Sequence, residues 1–377
     1  MVTSSFAQGI SNLVNSLAEK HGLHFIYISA PEREREAKTF SKCCYVHPVV
    51  SPKPVNLTGS LTENNFWQCF RLIPVFIKMF FTLRTVVSKY NIDIVNAEWS
   101  IPSGFIACLA CRNIPVVTTL RGSDINMFGK RFFFRQLIKY TLNHSTRIIA
   151  LADDLRGVAI EMGTDSDKIE LIPSGIDMRM FRPVEKKIIR ASQGIKDCFQ
   201  AIFVGNLIPL KRVDMIVRVC ARLSQRYSHI SLVIVGEGPE HAKLVKLARD
   251  EHFGNIQFTG RVEYDQMPAY MNAADVLVLP SESEGLPDVV QEAMACGITV
   301  IASNVGGLPE LITDGVNGFL VNSEAEMEEC LRQLISNPEL RIKMGANARE
   351  FATRYLSNDK VVKQTEELYQ SILIKQQ

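Results

Sequence analysis

The chain has 377 residues, 46% hydrophobic and 22% charged, with 42 basic and 40 acidic side chains and a mean hydropathy of +0.05. A formal charge of +2, if evenly spread, gives no strong field for a nucleic-acid backbone or an anionic membrane, and the length suits two domains. No uncharged apolar run reaches about 18 residues and no basic region precedes an apolar one at the start, so neither a membrane span nor a secretory leader is expected.

From the N-terminus, Ser4 or Ser5 can cap a helix whose apolar positions Ile10, Leu13, Val14 and Leu17 keep helical spacing, and a β-branched run follows at 24–29. A doubly wound domain opens with its central strand, and there is no room for one ahead of this helix. The first strand is therefore expected to be missing, through a misassigned start codon or as damage to the copy. Further strands are expected at 92–96, 114–120 and 147–151, alternating with amphipathic stretches, and another precedes the loop-like text P-S-G-I-D-M-R-M-F-R-P. Asp165-Ser166-Asp167 reads as a polar turn. The domain boundary is placed in the charged stretch after that loop, giving a first domain of 1–190 and a second of 191–357. The second carries strand patterns at 200–204, 231–235, 256–259, 275–279, 299–302 and 318–321. Residues 358–377 read as an amphipathic helix, with Val361, Val362, Leu368, Tyr369 and Ile372 apolar, that crosses back to the first domain.

Charge divides unevenly, +7 over residues 1–188 and −5 over the rest. Two aromatic and basic segments in the first half, 66–89 and 130–139, suit peripheral contact with an anionic membrane surface, although Pro74 argues against one long helix in the former. Nine cysteines, an odd number in a chain able to bury a large core, suggest no disulfide framework and a reducing, cytoplasmic compartment. Cys108 and Cys111 read as small core residues.

Chemistry concentrates in residues 279–311. A strand ending at Leu279 runs into a loop, then into a helix opened at Asp288 and stopped by Gly297, so a helix N-terminus opens at the strand's carboxyl edge. Amides of Asp288 to Val290 can take a phosphate there, and Gly285 admits close backbone approach. Glu284 and Glu292 would repel a phosphate; as carboxylates they suit vicinal hydroxyls, such as those of a ribose and a hexose flanking a diphosphate. Upstream, V-G-N-L-I-P-L-K-R ends a strand at Gly205 and Asn206 and then presents Lys211 and Arg212, cations able to neutralise a leaving phosphate.

Together with I-P-S-G-I-D, V-G-E-G-P, F-T-G-R-V and G-G-L-P-E-L-I, these segments resemble retaining glycosyltransferases of family 4, of the bacterial polysaccharide-biosynthesis type. The resemblance implies an α/β chain of GT-B architecture, two facing Rossmann-like domains with parallel sheets. It implies transfer of a hexose-type sugar from a nucleotide-diphosphate sugar, a UDP-sugar favoured, to a glycan or lipid-linked acceptor, with retention and without cofactor or metal. Glu292 would hold the nucleotide ribose, Glu284 the donor sugar and Lys211 the diphosphate, helped by the amides of Leu286 to Val290, Val289 among them. Arg261 and Val262 would line the base pocket. Many members carry arginine where this chain has Asn206, leaving Lys211 and Arg212 to balance the charge. On the acceptor side the resemblance points to Gly9, Arg121 and Asp124, with Glu98 where histidine is common. An epimerase of nucleotide sugars on the same fold, or an inactive nucleotide-sugar-binding remnant, are the competing readings.

Overall fold

The computed structural model describes residues 2–3, 8–29, 44–50, 72–126, 128–129, 131–195 and 198–375. The chain divides into two units, residues 1–175 with 358–377 and residues 176–357. The break falls after Gly175, not after residue 190. The reason lies in the helix Lys186–Gln193, whose Lys186 and Arg190 both reach Asp275 in the second unit, at 2.6 and 2.7 Å.

The first unit is built on a parallel sheet of order β3-β2-β1-β4-β5-β6-β7. Its strands are β1 (Val2–Thr3), β2 (Leu23–Ser29), β3 (Cys44–Val50), β4 (Val95–Glu98), β5 (Val116–Leu120), β6 (Arg147–Ala150) and β7 (Ile169–Leu171). The expectation of a missing first strand is corrected: β1 is present at the centre, but is two residues long. Val2 and Thr3 pair with Ile26 and Tyr27 on one side and with Ala97 and Glu98 on the other. The expected first helix begins at Gln8, and residues 4–7 lie outside the described residues. β3, which the sequence reading missed, contains Pro48; as the edge strand it can hold a residue without an N–H.

Pro74 does not break the helix it was expected to break. It stands in the first turn of Ile73–Tyr90, where its absent N–H would have had no intrahelical partner, and the helix runs on for 18 residues. Residues 66–71 of the same basic segment lie outside the described residues. The helix Asn358–Ile374 belongs to this unit and closes its core, Val361, Val362, Leu368 and Ile372 packing with Leu13 and Leu17. Asn358 fastens the helix by donating to Ser16 Oγ at 2.7 Å. Cys108 and Cys111 are buried core thiols, pushed up by burial to about 11 and about 12.

The second unit holds a parallel sheet of order β10-β9-β8-β11-β12-β13. These are β8 (Phe199–Val204), β9 (Ile230–Val235), β10 (Ile256–Gly260), β11 (Val276–Leu279), β12 (Thr299–Ser303) and β13 (Gly318–Val321). β11 is buried along its whole length, which is why Val276 to Leu279 reads as a continuous apolar run without alternation. The chain runs outward from β8 through β9 to β10, then returns to β11 and runs the other way. Loops leaving the carboxyl ends of β8 and β11 therefore diverge, and such a switch point is where open α/β sheets form a crevice. Among the described residues no helix is long and apolar enough to cross a membrane.

Candidate active site

The two diverging loops carry the residues singled out in the sequence. After β8, Gly205 gives its N–H to Val235 O at 3.0 Å, and the exposed Asn206 leads to the short 3-10 turn Pro209–Lys211. Arg212 follows with φ 48°, the left-handed residue from which the helix Val213–Ser224 departs. After β11 comes the loop of Ser281 to Pro287 and then the helix Asp288–Ala295. The loops are joined by backbone, Glu282 N–H donating to Leu210 O at 2.9 Å. That bond brings Lys211 Nζ within 2.5 Å of Glu284 Oε1, and both side chains are mostly buried. A charge-assisted bond with little water around it is among the stronger polar contacts. Arg212 stands farther off, 3.9 Å from Glu282, and both are exposed.

Glycines let these loops pack backbone to backbone. A Cβ on Gly236, in the loop after β9, would lie 1.9 Å from Gly205 O. One on Gly306, which has φ +54°, would lie 2.0 Å from Glu284 O. Gly285 receives the N–H of Gly307 at 2.9 Å in the same contact. V-G-E-G-P and V-G-G-L-P thus shape the crevice without lending it a side chain.

Glu292 sits one turn into its helix, 6% exposed. Burial and the neighbouring carboxylate of Asp288 push its carboxyl up to about 8, while a hydrogen bond from Tyr264 pulls the other way. Tyr264, in the turn that follows β10, was missed by the sequence reading; it is the fourth residue after Gly260 in F-T-G-R-V-E-Y, and its ring meets Phe181 edge-on at 5.4 Å. Arg261 is exposed and Val262 half-buried, both just beyond the carboxyl end of β10. Leu286 is buried, its carbonyl receiving Gln291 Nε2 at 3.4 Å, and Val289 is half-buried. Val290 corrects the expectation made for it. Its side chain is wholly buried and its N–H goes to Pro287 O at 3.2 Å, so neither is presented to a ligand.

In the first unit Gly9 is the second residue of the helix Gln8–Ala18. Arg121 Nε donates to Glu98 Oε2 at 2.8 Å, and both are buried or nearly so at the carboxyl ends of β5 and β4. Asp124 is corrected from acceptor contact to structural acceptor. Fully buried, it takes the N–H groups of Ser100, Gly122 and Arg121 at 2.7, 3.0 and 3.2 Å, which ties the turn after β4 to the loop after β5. Asp165 Oδ1 accepts from Asp167 N–H at 3.0 Å, a capped polar turn as expected. Among the described residues no three His, Cys, Asp or Glu side chains are grouped to hold a metal ion.

Two family models match the chain, that of Glycosyltransferase Family 4 over residues 7–179 and that of Glycosyl transferases group 1 over residues 185–351. N-acetyl-alpha-D-glucosaminyl L-malate synthase of Bacillus anthracis is 27% identical over 372 residues, covering 96% of this chain and 93% of its own length. Among solved structures, sucrose-phosphate synthase of Thermosynechococcus elongatus superposes with a TM-score of 0.82 at 21% identity, covering 99% and 95% of the two chains. HepE of Anabaena, solved in complex with UDP, gives 0.78 at 18% identity, covering 98% of each. The fold of this chain is that of GT-B glycosyltransferases.

Proposed function

We propose, from the premise that the chain belongs to glycosyltransferase family 4, that it moves a hexose-type sugar from a UDP-sugar to a glycan or lipid-linked acceptor with retention of anomeric configuration. The Lys211–Glu284 pair at the carboxyl ends of β8 and β11 carries the reading, because it sets a cation and a hydroxyl-binding carboxylate side by side. Lys211 balances the diphosphate, Glu284 takes donor-sugar hydroxyls and Glu292 takes the ribose diol. Arg261 and Val262 border the base, and Arg212, with Asn206 in place of an arginine, supplies the second cation. The UDP complex of HepE supports a nucleotide-sugar donor, and the name of the Bacillus relative, an N-acetylglucosaminyl malate synthase, supports a sugar-transfer reaction.

As the bond from the anomeric carbon to the phosphate oxygen breaks, its electron pair leaves with the nucleotide and the sugar becomes cationic. Lys211 and the positive N-terminal end of the helix Asp288–Ala295 stabilise the charge on the leaving group. The acceptor oxygen bonds the same face of the anomeric carbon and its proton passes to the departing phosphate. Phe132 and Phe133, 79% and 61% exposed beside Arg131 and Arg135, offer an anionic membrane surface a basic, aromatic contact.

Calorimetric titration with UDP, GDP and ADP tests the donor assignment. Saturable binding of UDP that is lost in Glu292→Ala supports it, and binding of none of the three sinks it. Anomer-resolved product NMR then decides retention.

A further inference from the structure

A cleft of about 300 Å³ lies on the second unit, over one face of its sheet. Its floor is set by register. Ile202 on β8, Val233 on β9 and Gln257 on β10 form one row across three strands, and Gln200, two residues before Ile202, faces the same way. All four line the cleft, with Gln193 from the end of the helix Lys186–Gln193 and Tyr270 from the helix Met267–Ala273.

Gln200 is the residue out of pattern. An inner parallel strand reads as a continuous apolar run, as β11 does, yet β8 carries an amide at its second position, 6% exposed. Its backbone is engaged on both sides, the N–H donating to Asp275 Oδ2 at 2.8 Å and the carbonyl taking the Asp275 N–H at 2.7 Å. Its side-chain Oε1, in contrast, is buried and accepts no hydrogen bond. A buried acceptor without a donor destabilises a fold, and one that lines a cleft is placed to take its donor from a ligand.

The frame is fixed in advance. Arg190, 9% exposed, donates to Ala273 O at 2.9 Å, to Cys198 O at 2.8 Å and to Asp275 Oδ2 at 2.7 Å, which ties together the two helices and the strand that carry Gln193, Tyr270 and Gln200. Little ordering is left for a ligand to impose.

The lining selects the guest. None of the described residues around the cleft is charged, so it suits a neutral molecule. Three amides, each able to donate and to accept, stand on three different elements, and Tyr270 adds a hydroxyl and a ring face beside the apolar Ile202 and Val233. A ligand that meets them carries hydroxyls around its whole perimeter and C–H groups on its face, as a pyranose ring does. The volume is at the small end of ligand pockets, with room for one ring and not for a nucleotide sugar. Gln200 and Val204 are the second and last residues of β8, about 13 Å apart along the strand, so the floor of the cleft lies well short of the Lys211–Glu284 pair beyond its carboxyl end.

We propose that this cleft is a second carbohydrate site, which binds one neutral hexose ring through a hydroxyl donated to Gln200 Oε1, with the exposed Gln193 and Gln257 at the rim and Tyr270 against the ring face. The ring comes as a free monosaccharide or as a unit of a glycan. The site goes beyond the donor reading and does not rest on it.

Methyl-resolved NMR of the full chain, titrated with D-glucose, D-galactose, D-mannose and N-acetyl-D-glucosamine, reads the site through the methyl groups of Ile202 and Val233. At least one of these sugars is expected to shift both residues saturably, with Kd on the order of 1–10 mM. Gln200→Leu should weaken that binding about tenfold or more without lowering Tm, since it removes a polar group that the unliganded chain leaves unpaired. Tyr270→Ala and Gln257→Ala, at a half-buried and an exposed position, should each weaken it about threefold or more. Methyl glycosides of the sugar that binds separate the two sources: undiminished affinity assigns the site to a unit within a glycan, and lost affinity assigns it to a free monosaccharide. The proposal is overturned if none of the sugars moves these methyl groups at about 100 mM, or if uracil moves them and the sugars do not. It is overturned equally if Gln200→Leu folds and binds undiminished, or if Tyr270→Ala and Gln257→Ala both bind as the parent does.

Discussion

Lys211 Nζ and Glu284 Oε1 lie 2.5 Å apart although 73 residues separate them in sequence. If Lys211 also meets the donor diphosphate, as proposed, donor binding divides it between a carboxylate and a diphosphate. Lys211→Met should lower turnover on the order of 100-fold, as does loss of a donor to a developing oxyanion. It should also destabilise the chain by about 1–3 kcal/mol, because Glu284 keeps its burial and loses its counter-ion. Adding Glu284→Gln should restore Tm but not turnover. Restoration of both would mean that the pair is structural.

The ordinary value of Glu292 is 4.5 and burial pushes it to about 8. Between those limits the folded chain holds a proton that the unfolded chain has lost, so this residue lowers stability increasingly as pH rises and in full above pH 8. Glu292→Gln should gain on the parent over the same window, by up to about 5 kcal/mol at its plateau. Denaturant titrations at pH 5, 7 and 9 read the difference, and a constant gap would refute it.

If the ribose hydroxyls donate to the Glu292 carboxylate, nucleotide binding must expel that proton. UDP affinity should rise with pH toward 8, and the heat of binding at pH 6.5 should vary with the ionisation enthalpy of the buffer. Tyr264→Phe removes the bond that restrains the shift and should carry the affinity profile to higher pH. Heats that do not vary with buffer would exclude the linkage.

Arg121→Met leaves Glu98 wholly buried without its cation and should cost about 3–5 kcal/mol; Arg121→Met with Glu98→Leu should recover most of it. UDP binding, which the proposed site places in the other unit, should stay unchanged throughout. A double variant as unstable as the single one would mean that the guanidinium acts through other contacts.

Gly306→Ala places a methyl group against Glu284 O at a left-handed φ. The 281–287 loop must move, and turnover should fall at least about tenfold with a lowered Tm. Gly254→Ala, whose Cβ would meet nothing within 4 Å, is the control for substitution as such.

The alternation of short apolar runs with amphipathic stretches carried the α/β class and most strands, because parallel strands buried on both faces leave a continuous β-branched signal. The motif loops were legible because glycines and charges at strand ends have few other uses. What escaped depended on distant partners. Pro48 hides β3 until its edge position is known, and Lys186 and Arg190 read as solvated charge until Asp275 appears. R-G-S-D reads as an acceptor-side loop until the amide of Ser100, with those of Arg121 and Gly122, turns Asp124 inward. Tyr264 becomes meaningful only through Glu292. The length of β1 was misread because two residues fall below any periodic signal.

The helix Asn358–Ile374 has a consequence for biosynthesis. The core of the first unit draws on Leu13 and Leu17 near one end of the chain and on Val361 to Ile372 near the other. On the ribosome, the second unit is a contiguous stretch that can close while the chain is still being made, whereas the first waits, sheet exposed, until the last helix emerges. The order of maturation is thus the reverse of the order of synthesis, and a chain stalled near residue 357 would present a finished second unit joined to an unfinished first one, a ready substrate for chaperones and proteases.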